Sequence, residues 1–251
     1  MRTAVLGLAA VAALSGGVRA ADGEAVAVIE KAIKAHGGAE KLRKFTGATV
    51  KMKGELEVLG TPTEVTGELA YAIPGKLRLA LDLEVMGQKV ALVQTVNGEK
   101  TRQTVNGNAV PLPDEAAAEL RRAAVMPEVS HLVYLLDAEK YTLKADGTDE
   151  VNGKKAAVVV VSGPRTDGRD RRLWFDAESG LLVKIKRTTV GPSGTGTVEE
   201  ERVMSEFKEF DGIKMATKVV ATHDGKEYLK AETTEVEFAD KPDEAKFMIG
   251  D

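Results

Sequence analysis

The sequence contains no cysteine. Disulfides, thiol nucleophiles and thiolate metal sites are therefore excluded. Histidine is scarce: His36, His131 and His223 lie far apart and form no H-x-x-x-H pair. Acidic runs such as Glu199-Glu200-Glu201 fall on a strand pattern, where neighbours point to opposite faces. A dedicated zinc or EF-hand site is not expected, and neither is any other cofactor. The serines are Ser15, Ser130, Ser162, Ser179, Ser193 and Ser205, and none stands in G-x-S-x-G. Ser193 comes nearest, but Thr195 occupies the place of the second glycine. "GPSGTG" lacks the Lys-Ser/Thr of a phosphate-binding loop and is read as a turn within residues 190–198. Aromatic residues make up only 4%, with Trp174 the single tryptophan. On the strand "RRLWFDAESG" it is read as core or wall.

Long apolar runs are also missing. The longest, Ala4 to Leu14, is shorter than the ~20 residues of a membrane span. Arg2 precedes it, and Val18-Arg19-Ala20 follows with small residues at the −3 and −1 positions. Residues 1–20 are thus expected to be a cleaved signal peptide, and the protein to be exported and periplasmic. No cysteine follows the run, so an acylated N-terminal cysteine is excluded. Removing Arg2 and Arg19 from the 35 Lys+Arg leaves 33 against 39 Asp+Glu, a formal net charge of −6. That balance argues against nucleic acid and anionic membrane surfaces as main partners. The charges are interspersed, as on solvated strand faces.

What is present is periodicity. Residues 24–35, "EAVAVIEKAIKA", place Val26, Ile29 and Ile33 at helical spacing. Gly37 and Gly38 break that pattern, and a second short helix carries Leu42 and Phe45. The stretch "AHGGAE" resembles the glycine loops that build oxyanion holes. Without a nucleophile elbow it is read as a helix C-cap, with His36 in the last turn, where a partly positive imidazole suits the helix dipole. From Ala48 the period becomes two. Val50, Met52, Leu56 and Val58 alternate with Lys51, Lys53, Glu55 and Glu57. Leu77, Leu79, Leu81, Leu83 and Val85 do the same in "KLRLALDLEV". Turn signals at Met86-Gly87, Asn97-Gly98, Asn152-Gly153, Ser179-Gly180, Asp211-Gly212 and Asp224-Gly225 imply hairpins. A helical interlude at 113–136, broken at Pro127, separates two groups of strands. Eleven to twelve strands at short spacing predict one antiparallel sheet, strongly curved or partly closed.

Two downstream motifs carry a family likeness. "LWFDAESGLLVKIK" contains Trp174, Phe175, Asp176, Gly180, Leu181, Leu182 and Lys184, and "FKEFDGIKMATKV" contains Asp211-Gly212-Ile213-Lys214. With the N-terminal helix ending in His36-Gly37-Gly38 and a final "DEAKF", this order resembles the LolA-like outer-membrane lipoprotein-sorting superfamily, over residues 24–248. Met215-Ala216 stands where relatives commonly carry proline, and the chain is longer than a typical carrier. The polar residues that latch the lid of true carriers have no match here, so none is transferred.

The resemblance implies a mainly β fold with helices (α+β). Residues 24–248 would form a single domain. Its single curved antiparallel sheet would be an unclosed half-barrel, wrapped around or plugged by helices. Its concave face would be an apolar cavity for a lipid or lipoprotein acyl chain. The wall candidates are Val50, Met52, Leu56, Leu69, Tyr71, Leu77, Leu79, Leu81, Leu83, Val90 and Leu92. Three functions follow in order: a non-enzymatic carrier or sensor of acyl chains, an envelope protein-interaction module with a filled core, and last a hydrolase. A monomer is expected. An apolar strand face is first of all a core, so the pattern does not decide whether helices fill the concave face.

Overall fold

The computed structural model describes residues 22–250 apart from 192, 193 and 195. The expected signal peptide lies outside the described residues, as do Ser193 and Thr195. The chain forms one 13-stranded sheet in the order β6-β5-β4-β3-β2-β1-β13-β12-β11-β10-β9-β8-β7. The first group is β1 (Gly47–Val58), β2 (Thr61–Ala72), β3 (Lys76–Val85), β4 (Gln88–Asn97), β5 (Lys100–Val105) and β6 (Asn108–Val110). The second is β7 (Thr142–Val151), β8 (Lys154–Ser162), β9 (Arg171–Asp176), β10 (Leu182–Val190), β11 (Thr197–Phe210), β12 (Ile213–His223) and β13 (Lys226–Ala239). Every strand pair is antiparallel. Two meanders are thus zipped together where the first strand meets the last, with Val50 opposite Val236 and Leu56 opposite Leu229.

Seven two-residue turns join neighbouring strands; besides Gly98-Glu99 they are Leu59-Gly60, Met86-Gly87, Asn106-Gly107, Asn152-Gly153, Asp211-Gly212 and Asp224-Gly225, and these six are alike. Both residues of each of the six have positive φ, as the tight turns that match strand twist require. Leu59-Gly60 and Asn106-Gly107 escaped the sequence reading, the first because leucine carries no turn signal.

The alternation read from the sequence sets one face inward. Leu77, Leu79, Leu81 and Leu83 of β3 stand opposite Val96, Gln94, Leu92 and Val90 of β4. Gly54 of β1 sits where β13 comes closest. A Cβ there would overlap the Lys230 carbonyl oxygen, so only glycine lets the two meanders meet this tightly.

Helix α1 (Gly23–Ala35) is capped by Asp22, whose carboxylate accepts from Glu24 N–H at 3.0 Å. Ala25, Ile29, Ala32 and Ile33 recur at helical spacing and are buried. They pack with Leu42 of α2 (Ala39–Lys44) against Val159, Val161, Leu173 and Phe175 on the inner face of β8 and β9. Between β6 and β7 run α3 (Asp114–Ala123), α4 (Met126–Ser130) and a 3-10 turn, Val133–Leu136. Trp174 points the other way. It is buried on the outer face with Val158 and Ala156, donates its indole N–H to Asp149 at 2.9 Å, and lies beneath Arg172 and Lys184.

The "AHGGAE" stretch proves to be a clamp. The His36 ring donates from Nδ1 to the Lys214 carbonyl at 2.7 Å, and Nε2 accepts from Leu182 N–H at 3.1 Å. Burial lowers its pKa, with the Lys214 carbonyl partly opposing. This corrects the partly positive imidazole expected from helix position. A ring that accepts at Nε2 and is buried is neutral, and it ties α1 to β10 and β12. His131 behaves alike, donating to the Leu42 carbonyl at 3.0 Å and accepting from the Tyr71 hydroxyl at 2.9 Å.

Gly37 passes so close to the Asp211-Gly212 turn that a Cβ would overlap the Gly212 carbonyl oxygen, and its φ is +119°. Gly37→Ala is expected to destabilise the fold by roughly 2–4 kcal/mol in chemical denaturation, from strain plus overlap. Gly38→Ala, with nothing within 4 Å, incurs only the strain of its positive φ. Equal effects of the two variants would show that the close approach is not what Gly37 provides.

Candidate functional site

The inner face carries two chemistries. In the first meander it is aliphatic. An open recess of about 1010 Å³ is lined by Gly54 of β1, Val65 of β2, Leu83 of β3, Val90 of β4, Val219 of β12 and Ala231 of β13, and by charged residues that alternate with them, among them Lys53, Glu55, Glu64, Asp82, Glu84, Lys89, Lys218, Lys230 and Glu232. β4 and β12 are separated in the sheet by four strands, so the recess lies inside the curl.

The eleven wall candidates divide. Val50 and Tyr71 are buried with the helices, and the Tyr71 hydroxyl is committed to His131. Leu77 is buried with Val96 beneath Ala124, the C-cap residue of α3, and Leu69 and Leu79 pack at its margin with Leu120 of α3. Met52, Leu56, Leu81, Leu83, Val90 and Leu92 are half-buried. Of the eleven, Leu83 and Val90 line the recess.

In the second meander the inner face is apolar beneath α1 and α2, and beside that core it carries a polar layer on β9, β10 and β11. Glu200 of β11 is 1% exposed and its carboxylate is saturated. Arg187 of β10 donates from Nε at 2.6 Å, Arg202 from Nε at 2.7 Å and the Tyr228 hydroxyl at 2.6 Å. Burial pushes the Glu200 carboxyl up, but Arg202 and Arg187 together with the Tyr228 hydrogen bond outweigh it and hold it at about 2.

Arg187 also reaches Glu119 of α3 at 2.8 Å. The Glu119 carboxylate accepts in addition from Thr189 at 2.7 Å, Arg169 at 3.0 Å and Arg122 at 3.2 Å. Arg171, directly opposite Arg187 in the β9–β10 register, is 2% exposed and makes only two 3.5 Å bonds to backbone carbonyls. Burial and then the Arg187 charge pull its pKa down to about 10. Its Nε, like His223 Nδ1, has no hydrogen-bond partner among the described residues. Beside this cluster Glu128 of α4 is 3% exposed, pairs with Arg165 and accepts from the Tyr141 hydroxyl at 2.8 Å.

These contacts show how α3 is held. It touches β4 and β5 on one side and β10 on the other, so it bridges the two arms of the curl. None of its own residues is fully buried. Leu120 and the C-cap Ala124 dock on the aliphatic arm, whereas Glu119 docks on the polar one. This corrects the reading of the charges as solvated strand faces. The signal was present: in "LVKIKRTTV" the period of two puts Arg187 on the same face as Ile185, a core residue. A general acid needs a pKa near its working pH. Glu200 is instead held by arginines as a structural ion. Among the described residues no group of three or more His, Asp or Glu is placed to hold a metal ion.

Comparison with known proteins supports the fold assignment. The chain is similar to a LolA superfamily protein of Nitrosomonas europaea, at 11% identity and a TM-score of 0.57, over 90% of this chain and 97% of the other. It is also similar to a domain assigned to outer-membrane lipoprotein sorting from Vibrio parahaemolyticus, at 12% identity and a TM-score of 0.49, over 87% and 97%. A DUF1329 family protein of Desulfovibrio piger matches at 11% identity and a TM-score of 0.47, over 89% and 97%. No protein-family model and no curated protein matches the sequence. The chain therefore has the LolA-like fold, an unclosed curved sheet with helices. Identity this low shows no more than the fold.

Glu200→Gln removes the carboxylate that Arg187 and Arg202 share and leaves Arg187 only Glu119. It is expected to lower stability at pH 7 by about 3–5 kcal/mol. A carboxyl held below its ordinary 4.5 contributes stability above that pH and loses it as pH falls towards about 2. The difference between wild type and variant, followed by denaturation from pH 7 to 2, therefore narrows below about pH 4.5. A difference constant with pH would show that the Glu200 charge is not what the arginines stabilise.

Proposed function

We propose that this protein is an exported, non-enzymatic carrier or sensor that holds a lipid or lipoprotein acyl chain in the aliphatic arm of its curved sheet. The observation that supports this reading is the open recess of about 1010 Å³, left uncovered by the helices. Its size lies at the upper end of ligand sites, which span roughly 300–1,000 Å³. Each methylene buried there gains about 0.8 kcal/mol, so a chain needs no polar anchor to be held. Helix α3, bridging the arms, is the element whose displacement would extend the recess towards Leu79 and Leu77. The acidic balance keeps nucleic acid off the surface, and the chain acts as a monomer towards its ligand.

A second reading, an envelope protein-interaction module, draws on the other arm. There α1, α2 and α4 fill the sheet with Ile29, Leu42 and Val129 and leave an ordinary core. On that reading the recess is incidental and the outer surface is what matters.

The test is native mass spectrometry of the protein taken from the periplasm, with solvent extraction, followed by titration of the delipidated protein with a fluorescent fatty acid. A bound acyl species and saturable probe binding are expected. Leu83→Glu puts a charge into the recess at a half-buried position. It should weaken probe binding at least about tenfold while leaving the unfolding midpoint within a few degrees of wild type. Glu237→Gln, exposed on the outer face of β13 and away from the recess, should change nothing. A clean apo mass with no probe uptake would move the assignment to the interaction module.

A further inference from the structure

Six of the seven two-residue turns share one backbone geometry and differ in chemistry. The first residue of each has φ between 48° and 51°. At Asn106, Asn152, Asp211 and Asp224 it is one of the polar residues that tolerate this left-handed conformation. At Leu59 and Met86 it is a large apolar residue, for which the conformation is strained. Those two side chains are 86% and 92% exposed, so no packing inside the protein offsets the strain.

The two exceptions are neighbours. Both tips stand at the end of the sheet away from α1 and α2, and together they line a smaller depression with Val58, Pro62 and Val85. That depression shares Glu64 and Glu84 with the lining of the acyl recess, so the tips stand at its mouth. Residues 58–62 and 85–88 contain no charge. The tip thus offers two projecting apolar chains, and the carboxylates of the depression, Glu64 and Glu84, stand further along β2 and β3.

We propose that the Leu59 and Met86 turns are a lipid-surface contact that inserts into the apolar boundary of a bilayer and sets the recess mouth against it. A folded protein partner fits less well. Such an interface needs about 800 Å² per side and is anchored by buried aromatic or arginine residues, and two isolated tips supply neither. The net charge of −6 expected for the chain without residues 1–20 makes the contact apolar rather than electrostatic. This inference rests in part on the acyl-chain reading, since it gives the recess a source for its ligand.

The experiment is co-flotation of the full exported chain with phosphatidylcholine vesicles, and with vesicles containing phosphatidylglycerol, at low and high salt. Wild type is expected to bind both equally and without salt dependence. Leu59→Asn with Met86→Asn installs the residue that the other turns use, so the hairpins stay formed and the unfolding midpoint holds or rises. Vesicle binding of that variant should fall at least about tenfold, the worth of burying one such side chain. Its fatty-acid binding, measured without vesicles, should equal that of wild type. Three results would overturn the proposal: no wild-type flotation, flotation unchanged in the variant, or binding only to anionic vesicles at low salt. A concentration-dependent dimer lost in the variant would assign the tips to a second copy instead. Should fatty-acid binding fail while flotation and its loss persist, the acyl-chain reading falls and the surface contact stands.

Discussion

The chain must cross from one edge of its sheet to the other, and the only short path lies over the concave face. β6 and β7 are consecutive strands and yet are the two edges of a 13-stranded sheet. A flat sheet would hold them far apart. Curling brings the edges towards each other, and α3 and α4 span the gap. The central β1–β13 pairing, close-packed at Gly54, joins the two arms of the curl. The bridging helices and the inner recess both follow from that single constraint.

The division of the inner face follows in turn. A helix held over an aliphatic trough by its own apolar side chains would fill the trough. Here α3 gives the aliphatic arm only Leu120 and the C-cap Ala124, and fastens itself to the other arm through Glu119. Arg187, which receives Glu119 from the sheet, sits at an inward position, and a carboxylate balances it. Glu200 does so, at the centre of Arg187, Arg202 and Tyr228. Arg171 remains as an excess positive charge in the same layer, buried with weak partners.

Much of the fold was legible because strand alternation is a local property. β1, β3 and the C-terminal hairpins can be read directly from their period of two and from their turns. Val50, Tyr71 and Leu77 share that period with Leu83, so the sequence placed all four on one face. It could not distinguish those under a helix from those beside an open recess. That distinction is tertiary: it depends on where the bridge between β6 and β7 comes down. The polar layer was missed for a different reason. Arg187 and Glu200 sit at inward parity, but a charged residue in a strand is ordinarily solvated, and ordinary expectation overrode the period. Leu59 was missed as a turn residue because nothing in leucine favours positive φ.

The two ways of holding α3 differ in what they leave available. Buried ion pairs contribute little net stability against well-packed apolar groups, because desolvation offsets most of the attraction. What they supply is geometry. Glu119 fits only one arrangement of Arg187, Thr189, Arg169 and Arg122, so the helix has a defined resting place without a deep apolar footprint. An acyl chain entering beneath it would displace only the small contact of Leu120 and Ala124, and would itself cover the leucines that α3 leaves bare. In an all-apolar closure, helix and ligand would compete for the same surface, and whichever bound better would exclude the other. Separating the two chemistries would let the bridging helix and a ligand of the proposed kind occupy the curl together.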